Sequence, residues 1–552
     1  MKEVYPHYNF KRNSFFSLNG QWNLNNHTII VPFPKESFLS EYPIKEYEEE
    51  LVYTKSFILP NGFYDENKKV ILHFEAVDNF TKVYLNDNYL GEHIGGYLPF
   101  SFDITKYLKK ENILKVVVKD PLDKTYPYGK QSLNPSGMWY TAISGIWKTV
   151  WLEAVPIKEE IRNIKIDTTI NTIKINVDCD VPFKFAINFD EIEFSSTFDK
   201  AVFLDLDKLN IKYQNWDVDN PKLYYFSIET KYDHIDSYLA VREFNIQNVN
   251  GTKYFCLNNK PIYLNGVLDQ GYFNDGIYLP SNHEKYKQDI SNMKELGFNM
   301  LRKHIKVEDD IFYYYCDKLG MLVMQDMVNS GEVNFLKNIM LPTIGFVRQK
   351  DNVKDENRLN FFIEHSKETI RLLYNHPCII SWTIYNESWG QQEANKVYKL
   401  LSKEDSRPFD TCSGWYKDYL SDIDSYHIYF RNKVLKIKDK NKVLFLSEYG
   451  GIKRHVKNHE FTLRKANYGY GNSNSEEGLT NKLLNIYNKM LFPSIKNGLC
   501  GSVLTQVSDV EEEENGLYTY DREICKVNKE KIRQANNLIY KAFKNSLNNF
   551  VK

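Results

Sequence analysis

The sequence predicts a multidomain chain in which two β-sandwiches precede a C-terminal (β/α)8 TIM barrel. Three observations predict it. At 552 residues the chain is longer than one core organises, since cores stop growing at roughly 250 to 300 residues. Up to about residue 247 it reads as short alternating apolar and polar segments broken by turn residues, a sandwich pattern. After Gly251 amphipathic stretches of helical length alternate with short apolar runs, the order of βαβ units around a parallel sheet.

The first sandwich is expected over 1–154. Ile71-Leu72-His73-Phe74-Glu75 and Lys82-Val83-Tyr84-Leu85 alternate in the strand period, the second running into the turn Asn86-Asp87-Asn88. A smaller, immunoglobulin-like sandwich is expected over 155–247, from runs such as Ile164-Lys165-Ile166-Asp167 and Ile173-Lys174-Ile175-Asn176-Val177 and ending in Val241-Arg242-Glu243-Phe244.

The barrel is expected over 248–552. Ser281 and Glu284 have capping-box spacing, and Tyr286, Ile290, Met293 and Leu296 repeat on one helical face until Gly297 ends the helix. Eight candidate strands follow one another: 262–267, 298–304, 322–326, 379–385, 409–413, 424–429, 443–448 and 501–506. Two long connections, about 328–356 and 452–478, are expected to act as lids or walls. The run from Glu511 to Glu514 after strand eight reads as a solvated turn or as part of the rim.

Composition removes several function classes. Lys plus Arg number 71 against 72 Asp plus Glu, mixed along the chain, so no basic surface is available for a phosphate backbone and nucleic acid is not expected as a partner. No window approaches the apolar length of a membrane span. The seven cysteines are scattered without CxxC spacing, and residues 1–7 carry no apolar leader; a cytoplasmic setting is the expectation. Neither a His-x-x-x-His nor a clustered Cys spacing calls for a metal, and no cofactor is expected.

The chemistry sits at two strand ends. In a parallel barrel, functional side chains gather where strands end. The run 379–386 delivers Glu387 and the run 443–447 delivers Glu448, from strands four and seven on opposing sides of the mouth. Breaking a glycosidic bond requires one protonated carboxyl for the leaving oxygen and one carboxylate for the anomeric carbon, about 5 to 5.5 Å apart when configuration is retained. Acids that only cap strands and face water are the alternative reading. Trp415, His427 and Tyr429 also fall at mouth positions, where Trp415 is placed to stack on a sugar ring, and Asp269 follows the first strand, where it can accept sugar hydroxyls. His427 reads equally well as a hydrogen-bonded core histidine.

The local motifs carry a resemblance. Asn386-Glu387-Ser388-Trp389-Gly390 resembles the acid/base segment of glycoside hydrolase family 2, and Ser447-Glu448-Tyr449-Gly450-Gly451 resembles its nucleophile segment. Leu18-Asn19-Gly20-Gln21-Trp22, the stretch from Gly95 to Thr105, Trp139-Tyr140, Ser144-Gly145-Ile146-Trp147 and Asn220-Pro221-Lys222-Leu223-Tyr224 are similar to the family's jelly-roll, sugar-binding sandwich and its middle domain. The resemblance implies Glu387 as general acid/base, Glu448 as nucleophile, Asn386 as a contact to the sugar 2-hydroxyl and Arg302 as an orienting group. It implies a glycoside or oligosaccharide as the binding partner and leaves self-association open. The chain departs from the family pattern at Asp269-Gln270, where His-Glu is common, at the Arg302-to-His304 spacing, and at Leu504-Thr505-Gln506, where a tryptophan is common. No Asn-x-Lys pair is placed to read a uronate. The expectation is an exo-acting, retaining β-glycosidase of β-galactosidase type. A β-glucuronidase or β-mannosidase is the alternative within the class, and a non-catalytic carbohydrate-binding protein the alternative outside it.

Overall fold

The computed structural model describes residues 4–334, 336, 341–343, 355–415, 419–461 and 467–549. Part of each long connection falls outside this set, so the lid expectation is addressed only for the remainder.

The first sandwich packs a four-stranded sheet on a six-stranded one. Alternation dictates the packing: in Asn112–Lys119 every second residue is buried, and Leu114, Val116 and Val118 meet Trp22, Tyr53, Leu72 and Phe74 from other strands. A second pair of antiparallel sheets, three-stranded and four-stranded, encloses Ile173, Ile175, Phe185, Val202, Phe226 and Ile235. Residues 9–12 lie along this second sandwich, where Lys11 bridges Asp236 and Arg12 pairs with Asp233 at 2.9 Å. A three-stranded sheet, 244–261, then leads into the barrel.

Eight parallel strands form the barrel: β1 Leu264–Asp269, β2 Met300–Lys303, β3 Leu322–Asp326, β4 Ile379–Asn386, β5 Phe409–Ser413, β6 Ile423–Ile428, β7 Val443–Gly450 and β8 Gly501–Thr505. Each overlaps its expected run. The ladder order is β5-β4-β3-β2-β1-β8-β7-β6. At the β5–β6 seam individual bonds take over, among them Asp422 N to Phe409 O at 3.0 Å and Gly414 N to Ser425 Oγ at 3.2 Å. Both faces of these strands are covered: every residue in them is buried except Tyr426 and Ile428 of β6, which are partly buried.

Helix α1 (Glu284–Glu295) buries Tyr286, Ile290 and Met293 as its periodicity requires, and Gly297 at φ +87° follows its end. The capping box does not form. The helix starts at Glu284 with His283 as N-cap and no side-chain cap bond, so Ser281 lies too far upstream to reach the first-turn N–H groups. Helix α2 spans Asp310–Leu319.

An aromatic cluster joins the first sandwich to the barrel mouth. Tyr97 and Trp147 pack with Tyr278, and Tyr140 with Tyr272, while Trp389 and Val510 belong to the same buried group. The Glu511–Glu514 run is buried, which excludes a solvated turn. Glu511 accepts from Thr141 N and Glu512 from Gly137 N, both at 2.9 Å, and Glu513 accepts from the Tyr140 hydroxyl. All seven cysteines are free thiols. Among the described residues no helix is long and apolar enough to cross a membrane.

Candidate active site

Strand β4 ends in a tight turn that fixes Glu387. Glu387 and Ser388 both have left-handed backbones, at φ +50° and +60°. Two bonds hold the turn: Glu387 N to Ser413 O at 3.0 Å and Trp389 N to Asn386 O at 2.8 Å. Gly390, at φ +63°, has no room for a side chain, because a Cβ would lie 1.7 Å from Ser330 O. Glu448 reaches the same space from β7, and both carboxyl groups are buried.

His427 lies between them. Its Nδ1 is 2.8 Å from Glu387 Oε1 and 3.4 Å from Glu448 Oε2, and one oxygen of each glutamate lies within 4.8 Å of the other. Its Nε2 meets Ser413 Oγ at 3.1 Å. Gly414, at φ +88°, permits this position, since a Cβ there would fall 2.5 Å from the ring.

Arg302 organises the opposite side. Its guanidinium, fully buried, donates to Glu448 Oε1 and Asn386 Oδ1, both at 3.0 Å, to Ser447 O at 3.2 Å, and through two nitrogens to Asp326. Asp326 also holds His304 Nδ1 at 2.7 Å. Burial and then the positive charge of Lys130 push His304 down to about 3, so it stands neutral. Tyr429 donates to Glu448 Oε2 and lies 3.1 Å from Thr505 Oγ1. Trp415 packs 5.5 Å from the His427 ring.

Asp269 does not join this group. Its carboxylate binds Lys303 Nζ at 2.7 Å and Gly271 N at 2.9 Å, and Lys303 also meets Glu308 at 3.1 Å. Parity explains the misplacement. Arg302 points into the barrel, so Lys303 points out, its ammonium 3.9 Å over the Phe312 ring of α2. Asp269 is the register partner of Lys303 and shares its outward side.

The two glutamates differ electrostatically. Burial pushes Glu387 up to about 7, with Lys130 and Arg302 opposing. Glu448 is also pushed up by burial, against the pull of His427 and Arg302. It has the richer set of donors to its anion, a cation and a phenol, and is therefore the group of the pair that ionises first.

Sequence reading missed Lys130. It arrives from the first sandwich, buried, with its ammonium 5.6 Å over both the Trp389 and Tyr140 rings. No local pattern marks it, because domain docking alone brings it to the mouth. Tyr470, from the second long connection, stacks on Tyr429 at 3.9 Å, so that part of the connection is a wall of the site.

A barrel mouth of this kind, behind two sandwiches, defines a glycoside hydrolase. Comparison with known sequences gives the family. Residues 9–156 match the sugar binding domain, and residues 248–489 the TIM barrel domain, of the glycosyl hydrolases family 2; the chain belongs to that family. It is 26% identical over 464 residues to a β-galactosidase of Thermoanaerobacter pseudethanolicus, covering 77% of this chain and 57% of the relative. A β-galactosidase of Staphylococcus xylosus is 26% identical, covering 68% of this chain and 37% of the relative. A β-glucuronidase of Streptococcus agalactiae is 22% identical, covering 81% and 84%. The chain thus spans little more than half, or less, of the length of these two galactosidases. Among solved structures, a β-D-glucuronidase of Dictyoglomus thermophilum superposes with a TM-score of 0.75 at 17% identity, covering 97% of this chain and 99% of that one.

Proposed function

We propose that the chain is a retaining, exo-acting β-glycosidase with Glu387 as general acid/base and Glu448 as nucleophile. The observation that carries this reading is the separation of their oxygens, within 4.8 Å. It suits direct attack on the anomeric carbon and falls short of the roughly 6.5 to 9.5 Å that leaves room for an inverting water. In the first step a Glu448 oxygen bonds to the anomeric carbon, the bond to the leaving oxygen breaks, and that oxygen takes the Glu387 proton. In the second, Glu387 withdraws a proton from water, which displaces Glu448. Arg302 and Tyr429 hold Glu448 in place, and Asn386, itself held by Arg302, faces the sugar.

A neutral glycone of the β-galactoside kind is the first choice. The wall after β8 carries the buried acids Glu511 to Glu514, and Tyr468 is bonded through N–H to Glu512 O beside Tyr470. The side chains of that run are turned to Gly137, Tyr140 and Thr141 of the first sandwich and to His455, and what supports the β-galactoside is the similarity to β-galactosidases. The β-glucuronidase reading is kept as second because the Lys130 cation reaches the same mouth.

Nitrophenyl β-galactoside, β-glucuronide, β-mannoside and β-glucoside offered to the wild type identify the sugar. Release from the β-galactoside and loss of release in Glu448→Gln are expected. Turnover of none of a broad panel favours a carbohydrate-binding role, and full activity of Glu448→Gln rejects the assignment.

A further inference from the structure

Lys130 is 7% exposed, and among the described residues no carboxylate lies within ion-pair distance of its ammonium. Three other buried lysines each have one: Lys303 and Lys306 reach Glu308 at 3.1 and 2.8 Å, and Lys526 reaches Asp509 at 2.6 Å. The Lys130 ammonium lies instead 5.6 Å over the rings of Tyr140 and Trp389, which hold a cation without cancelling its charge. Its place is built. Gly129 precedes it at φ +67°, where a Cβ would fall 2.8 Å from Tyr97 Oη and 3.0 Å from Ile305 O. Tyr128 N donates to Asn329 O at 2.8 Å, Tyr140 N donates to Lys130 O at 3.0 Å, and the Gln131 side chain is bonded to Asp78, Tyr97 and Ile143 N. A buried charge without its own anion is costly, and such departures from good pairing gather at functional sites.

The proposed reaction moves a negative charge across the mouth. Before the first step Glu448 is the anion and Glu387 carries the proton; after it Glu448 is an ester and Glu387 is the anion. Arg302 serves the first state, bound to Glu448 at 3.0 Å and to Asp326 at 2.9 Å. The second state needs a cation on the other side. Around Glu387 stand His427 of β6 at 2.8 Å, the Glu448 carboxyl of β7, and three phenols that its charge pushes up, Tyr429 after β6 and Tyr468 and Tyr470 of the second long connection. Burial raises Glu387, and of the two cations that oppose burial Lys130 comes first and Arg302 second.

We propose that Lys130 is a positioning residue of the acid/base step: the first sandwich supplies the cation beside which the Glu387 carboxylate forms when its proton passes to the leaving oxygen, and beside which it then takes a proton from water. The proposal rests on the glycosidase reading with Glu387 as acid/base. Lys130 acts through Glu387 and needs no contact with the sugar.

The test is the pH profile of kcat/KM for the wild type, Lys130→Met and Lys130→Arg on the phenyl β-glycoside of the sugar that the wild type accepts, with the β-glycosyl fluoride as the substrate that needs little protonation. Without the cation Glu387 keeps its proton to higher pH. The alkaline limb is therefore expected to move up by about one pH unit in Lys130→Met, with a loss of about tenfold at the plateau on the phenyl glycoside and far less on the fluoride. Lys130→Arg is expected to keep the wild-type limb. Lys130→Gln, a second neutral variant, keeps the test decisive if Lys130→Met does not fold. A limb that stays in place in the neutral variants, or moves equally in Lys130→Arg, overturns the role of the charge and leaves the hydrolase standing. A loss in Lys130→Met confined to a β-glucuronide overturns it too, since the ammonium would then read the carboxylate of the substrate. A wild type without an alkaline limb, or a limb that persists in Glu387→Gln, removes Glu387 as the acid and the proposal with it.

Discussion

Replacing Glu387 by glutamine separates its chemical role from the energetic cost of its position. The buried carboxyl titrates near 7 instead of 4.5, a difference worth about 3 kcal/mol. The sign follows from proton binding. Between pH 4.5 and 7 the folded chain holds a proton that the unfolded chain has lost, so stability falls as pH rises through that window and the full cost stands above it. Glutamine cannot ionise. The stability difference between pH 4 and pH 8 is therefore expected to shrink by about 3 kcal/mol in Glu387→Gln, read from denaturant or thermal unfolding at both pH values. Activity is expected to fall in the same direction. The proposed acid must be protonated to act, so wild-type kcat/KM is expected to decline above about pH 7, and the variant to lose both this alkaline limb and about 10²- to 10⁴-fold in rate on glycosides with poor leaving groups. Glycosyl fluorides, which need little protonation, are expected to be far less affected. An alkaline limb that persists near pH 7 in the variant, or undiminished hydrolysis of a methyl glycoside, refutes the reasoning.

Glu448→Gly supplied with azide is expected to regain turnover of an activated glycoside and give a glycosyl azide of inverted configuration, checked by NMR; a retained product counts against a nucleophile there. Tyr429→Phe removes the phenol that donates to Glu448 and is expected to lower kcat by about 10²-fold, with Glu448 titrating higher because a donor to its anion is gone. Arg302→Met leaves Asp326 and Glu448 without their buried cation and is expected to destabilise the barrel by about 3–5 kcal/mol, visible in urea unfolding; an unchanged midpoint contradicts the network.

What could be read in the sequence was whatever depends on a short period. Eight apolar runs located the barrel strands, and the acids that directly follow β4 and end β7 were legible because strand ends are where a barrel gathers function. The alternation that turns Arg302 inward is equally local. Asp269 eluded this reading because its facing is set by register against Lys303, a relation between two strands. Lys130 and the Tyr140 contact to Glu513 were beyond reach for a stronger reason, since they arise when separate sandwich and barrel surfaces dock. The Glu511–Glu514 run shows the same limit: four acids in a row read as solvated or as rim, and their burial is met by groups distant in sequence, the sandwich's N–H groups and phenol for the first three and His455 for the last.

That docking makes the catalytic half a poor candidate for transplantation. Expressed without residues 137–141, the barrel would keep three neighbouring acids, at 511, 512 and 513, each short of the sandwich donor that meets it here, and the loop after β8 would be loosened. Shuffling a foreign sandwich onto this barrel would thus require matching amides and a matching hydroxyl at the same three places, so the two halves must change in step.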